Sequence, residues 1–133
     1  ICCNFDEEVE KLISSKEQIK AEIERTGIDV SSVGRWNHTL NENGVINPEK
    51  AELYYDLLDT AIYLGAKTFV CGINYDDTIS LYKNYQNAIE FFDGLIKKAD
   101  GKIQGSVLPP LTENGSFISD KGKAGKFFYK REW

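Results

Sequence analysis

The chain has 133 residues, 41% hydrophobic and 28% charged, which suits one soluble domain with a real core. Its net charge of −5 is unevenly spread, since residues 1–100 carry 10 basic and 18 acidic side chains while residues 101–133 carry 6 and 3. The acidic body argues against nucleic acid as a partner, and the lack of a long apolar run or a basic-then-apolar leader argues against a membrane partner and for a cytoplasmic setting.

Residues Ile1 to Phe5 read as the end of a strand, after which Asp6, Glu7 and Glu8 open a helical turn and Ser14 or Ser15 offers a second cap ahead of Glu17. Val9, Leu12, Ile13, Ile19 and Ile23 form the apolar stripe, giving a helix near 15–26 that Thr26-Gly27 ends. A strand over 28–33 and a polar loop over 34–46 follow. That loop is longer than an ordinary βα connection, a hint of function. Asn47 then caps a helix over 48–64, with Pro48 at its first position and Gly65 as its left-handed stop. Residues 67–73 are β-branched and aromatic without clean alternation, the mark of a strand covered on both faces.

Asn74 to Ser80 is a second polar βα loop, in which Asp76 and Asp77 are expected to cap the next helix, near 80–99. Lys102 to Leu108 supplies a further strand, closed by Pro109-Pro110. Beyond it the segments 116–119 and 126–129 flank a turn-forming stretch and read as a β-hairpin, whose basic residues are a solvated surface. The three cysteines, Cys2, Cys3 and Cys71, have no zinc or disulfide spacing and read as buried, reduced thiols. The absence of any Met suggests a segment of a longer protein. The glycines follow no phosphate-loop spacing, so a nucleotide fingerprint is not expected.

The stretches GIDVSSVGRWN (27–37), DLLDTAIYLGAKTFVCGINY (56–75) and NAIEFFDGLI (87–96) resemble the sugar phosphate isomerase/epimerase family, the TIM barrels related to xylose isomerase. The resemblance covers about residues 1–102 and implies an α/β fold, a partial (β/α)8 barrel-like repeat of βα units with parallel strands, to which residues 103–133 add a hairpin-like tail. It also implies metal-assisted proton transfer next to a carbonyl, on a small sugar or sugar phosphate. In that family the divalent metal and the catalytic groups sit largely at the ends of the fourth to eighth strands. A complete barrel needs about 250 residues, so those positions are missing and no catalytic or metal-ligating residue is assigned.

Loops that follow parallel strands line the active face of such a barrel. Two are visible, and they supply the candidate substrate-binding residues Arg35, Trp36, Asn37 and His38, and Asn74 and Tyr75. A guanidinium fork, aromatic plates, amides and an imidazole are what sugar recognition uses. Trp36 serves equally well as a core or interface anchor, and one His alone gives little support to a metal site. A partial barrel leaves its strand edges and an apolar sheet face open, so a homo-oligomer is expected, as a non-catalytic assembly module would also form.

Overall fold

The computed structural model describes residues 1–36 and 39–108. Helices α1 (Asp6–Ser14) and α2 (Lys16–Thr26) are separated by Ser15, and Gly27 ends the second at φ 70°. Strand β1 (Ser32–Arg35) follows, then a small hairpin of β2 (Asn41–Glu42) and β3 (Val45–Ile46). Helix α3 (Pro48–Leu64) leads into β4 (Thr68–Gly72), and α4 (Leu81–Ala99) into β5 (Gln104–Leu108). Asn47 caps α3, its side chain accepting from the Glu49 and Lys50 amides at 3.1 and 3.2 Å, and Gly65 stops it at φ 76°.

The sheet is parallel, in the order β1-β4-β5, with Ser32 opposite Thr68 and Thr68 opposite Gln104. Cys2 bridges Gly34 in the parallel sense, so the N-terminal stub lies along the free side of β1. Sequence order is therefore spatial order. Helix α3 packs against α1 and α2 and also against α4, so the crossover helices form one layer on one face of the sheet. Under it lie Val33, Phe69 and Cys71, in a core with Leu57, Leu58, Phe91 and Leu95. Phe91 meets the Tyr54 ring edge-on at 5.1 Å between centroids. The chain is thus an α/β fold of four helices and a three-stranded parallel sheet, with a two-stranded hairpin beside it, and its described residues close no barrel.

Two expectations change. Among the described residues the face turned away from the helices carries Ser32, Thr68 and Gln104 beside Gly34, Val70, Gly72 and the Trp36 indole, a mixed set rather than the apolar surface expected there. The strand expected at 28–33 sits later because pairing continues through Gly34 and Arg35. A Cβ on Gly34 would lie 3.1 Å from the Val70 carbonyl oxygen, so glycine lets the two strands run close instead of ending the first. Strand β5, where a strand over 102–108 was expected, pairs in parallel along the length of β4. The hairpin expected in the tail lies outside the described residues.

Candidate functional site

Parallel strands end together, so the segments after the stub, β1 and β4 share one rim. On the β1 side a cavity of about 480 Å3 opens between Asn4, Phe5, Asp6 and Glu7 at the start of α1, Trp36 and Thr39 after β1, and Lys50 in the first turn of α3. Its floor and plate are set by alternation along the strands. Val33 and Arg35 point to the helix layer, and Trp36 turns to the open face, where its ring lies against Gly72. A Cβ at residue 72 would overlap that ring, so glycine is required there as long as the indole stays.

Arg35 was expected as a fork open to ligand. Instead its side chain is 0% exposed, lies under the Tyr54 ring at 5.1 Å and donates through Nη2 to Asp6. Lys50 Nζ donates to the other Asp6 oxygen. Partial burial works against the Asp6 charge, but hydrogen bonds from Lys50 and Arg35, with their positive charges, outweigh it and hold the carboxyl below the usual carboxylate range. Nε and Nη1 of Arg35 are buried without a hydrogen-bond partner among the described residues, so Asp6 is the group that compensates this guanidinium.

The stub is tied in by the same residues. Glu8 accepts from the Asn4 and Phe5 amides at 2.8 and 3.1 Å, capping α1, while Asn4 Oδ1 accepts from the Trp36 amide at 3.1 Å. Tyr54 places its hydroxyl 3.4 and 3.3 Å from the carbonyls of Arg35 and Gly72, joining the ends of β1 and β4.

On the β4 side the polar residues are engaged with one another. Asn74 accepts from the Asn41 amide at 2.8 Å and donates to the Asn41 carbonyl at 2.6 Å, imitating a strand pair. Asn41 Nδ2 donates to Asn84 at 2.8 Å, and Asn87 donates to Asn41 Oδ1 at 2.8 Å and to the Gly44 carbonyl at 3.1 Å. Asp76 accepts from the Gly44 amide at 2.9 Å and from the Thr78 amide and hydroxyl at 2.9 and 2.5 Å. The bonds from Thr78 and Gly44 hold its carboxyl below the usual range despite burial. The cap expected of Asp76 and Asp77 is supplied by Ser80, which accepts from the Lys83 amide at 3.2 Å. Asp76 serves the hairpin instead.

Of the six candidate residues, Trp36, Asn74 and Tyr75 stand at the same end of adjacent strands, Trp36 on the cavity and Asn74 in the amide network. Arg35 lies beneath the rim, and Asn37 and His38 fall outside the described residues. Asp6, Asn4 and Lys50 went unrecognised in the sequence. Asp6 was legible, since it follows the stub as Trp36 follows β1; Lys50, inside an ordinary amphipathic helix, carried no signal. Among the described residues no group of three or more His, Cys, Asp and Glu is placed to hold a metal ion. With Asp6 and Asp76 both engaged, these side chains do not make a cage for the divalent metal that the resemblance implies. No helix of the described residues is long and apolar enough to cross a membrane. No protein-family model, curated protein or solved structure has a significant match to this chain.

Proposed function

We propose that this chain is a sugar isomerase/epimerase-like βα unit, a partial (β/α)8 wall that binds a small sugar or sugar phosphate at its rim. The ancestral reaction is metal-assisted proton transfer next to a carbonyl, for which this stretch is incomplete by itself. The observation that carries the reading is the rim cavity, where an indole plate, the carboxylates of Asp6 and Glu7, the Asn4 amide and Lys50 converge at the C-terminal ends of parallel strands, the place where such folds bind ligands. Sequential strand order and a single helix layer support the barrel-like part. The reading sets the protein in the cytoplasm, acting on a small molecule rather than on nucleic acid or a lipid surface.

Calorimetric titration with a panel of pentoses, hexoses and their phosphates tests it. Saturable heat with at least one sugar, lost in Trp36→Ala while the far-UV circular dichroism is kept, is the expected result; no heat from any of them at millimolar concentrations refutes it. Isomerase assays with added divalent cations then ask whether any turnover remains.

One observation favours a second reading, a non-catalytic module that self-associates: the outer edge of β5 has no strand beside it among the described residues. Sedimentation at micromolar concentration separates the two, with a stable oligomer and no sugar binding supporting assembly, and a monomer that binds sugar opposing it.

A further inference from the structure

Helix α4 is the last of the helix layer, and α3 lies against one side of it. A Cβ on Gly94 would meet the Tyr55 hydroxyl oxygen, and Lys98 pairs with Asp59 at 2.9 Å, so these two positions mark the side turned to α3. At about 100° per residue, Tyr85 and Ile89 fall roughly half a turn round from them. Leu81, Tyr85, Ile89 and Ile96 therefore make a second apolar stripe, on the flank of α4 where the sheet ends at β5. A shallow cavity of about 500 Å3 runs along it, lined by Tyr82, Tyr85, Gln86, Ile89 and Glu90, and Tyr82 is 70% exposed. Among the described residues no further helix covers this flank. A contiguous apolar strip of this kind marks a contact surface.

Reach, charge and tethering choose its occupant. Strand β5 pairs in parallel with β4, Leu108 opposite Gly72, so residue 109 follows at the end of the sheet where α4 begins. Pro109 and Pro110 lack the N–H groups that would extend the ladder. At about 3.3 Å per residue, residues 109–125 can reach about 50 Å, beyond the roughly 28 Å length of the 19-residue α4. Residues 1–108 carry 11 basic and 18 acidic side chains, whereas residues 109–133 carry 5 and 3. The groove shares the acidity of the body. Glu90 lines it, and with Glu52 of α3 it adds to burial in pushing up the Tyr55 hydroxyl beside it. The stretch KFFYKREW (126–133) joins Phe127, Phe128, Tyr129 and Trp133 to three cations and a single carboxylate. On its own tether such a segment meets the groove at an effective concentration of about a millimolar, roughly a thousandfold above a second copy at micromolar protein.

We propose that this flank of α4 is the docking surface of the chain's own residues 126–133, with the rings over the stripe of Tyr82, Tyr85 and Ile89 and the cations of Lys126, Lys130 and Arg131 toward Glu90. The segment closes the helix layer on the side where a following βα unit would otherwise lie. It depends on neither reading of the rim.

Trp133 reports the docking. In a Trp36→Phe chain it is the one remaining tryptophan, and acrylamide is expected to quench it severalfold less than free N-acetyltryptophanamide, equally at about 1 and 100 micromolar protein, as tethering requires. Tyr82 and Glu90 are exposed, so Tyr82→Lys and Glu90→Lys are expected to keep the fold and raise the quenching toward the free value. Lys130→Glu added to Glu90→Lys is expected to restore protection. In the chain with both tryptophans, trypsin is expected to cut after Lys126 and Lys130 roughly tenfold more slowly than after Lys121 and Lys123, because cleavage there needs the undocked state, and Tyr82→Lys is expected to close that gap. The tryptic rates carry the test if Trp36→Phe does not fold. A Trp133 as accessible as the free compound, or equal cleavage at all four lysines, overturns the proposal. Protection that grows with protein concentration gives the groove to a second copy, and protection unchanged in both groove variants puts the segment elsewhere; either result overturns it as well.

Discussion

Replacing Asp6 by Asn removes the one carboxylate that, among the described residues, compensates a fully buried guanidinium. Arg35 has a side-chain exposure of 0%, and two of its nitrogens already lack a hydrogen-bond partner among the described residues. Breaking a fully buried pair costs about 3 to 5 kcal/mol. Asp6 is 31% exposed and Asn keeps an acceptor, so a smaller loss of roughly 2 to 3 kcal/mol is expected here. That corresponds to a fall in Tm of roughly 8 to 12 °C for a chain of this size.

The dependence on pH has a definite sign. The folded state lowers the Asp6 pKa, so the stability it gives is fully present above the unfolded value of about 3.9 and is lost as pH falls through the folded value. The gap between native chain and Asp6→Asn should be largest near neutrality and shrink in acid. Adding Arg35→Met to Asp6→Asn should recover part of the loss, because the stranded charge is then gone. Urea unfolding at several pH values measures all three. A loss below about 0.5 kcal/mol for Asp6→Asn, within the range of ordinary surface changes, or a gap that does not change with pH, refutes the assignment of the pair.

Gly72→Ala should displace the Trp36 indole from the sheet; in a Trp133→Phe background, an emission spectrum shifted to the red would show it, and an unchanged spectrum would mean that the ring does not rest on residue 72. Asn84→Ala strips one acceptor and two donors from the buried amide network, and a loss of about 1 to 3 kcal/mol is expected by urea unfolding. Asn47→Ala should cost about 1 kcal/mol through the lost cap of α3. Burial pushes the Cys71 thiol far above its ordinary range, while Cys2, in the N-terminal stub, is exposed rather than buried as its apolar neighbours suggested, so a thiol reagent at pH 8 should label Cys2 rapidly and Cys71 only on unfolding.

Helix α3 was legible to the residue because its limits are local chemistry: an Asn cap, a proline whose missing N–H is no loss, and a glycine that takes positive φ. Helix α4 and strand β4 followed within a residue or two for similar reasons. Arg35 was not legible, because its direction depends on where β1 ends. If the strand stops at Val33, Arg35 belongs to a loop; if Gly34 continues the pairing, Arg35 shares the face of Val33 and goes under the helices. The choice rests on how closely Val70 can approach, which only the packed sheet decides. The hairpin was available in principle, since Asn43-Gly44 takes positive φ at both residues, the signature of a tight turn between two strands. Its strands are two residues each, too short to show alternation.

Such a hairpin has almost no stability of its own, for isolated two-stranded ribbons are marginal in water even when longer. Asn41, Asn74, Asn84 and Asn87 bind it to the end of β4 and to the buried side of α4, with Asp76 gripping its turn. Its cooperativity is therefore borrowed. Amide protons of residues 41–46 that are held in these bonds should exchange with solvent on the timescale of α4 rather than of a surface loop, because opening the turn means breaking into the helix layer. The part of the rim free to adjust around a guest lies on the other side, where Asn4 to Glu7 are held to the body chiefly through one carboxylate and one amide.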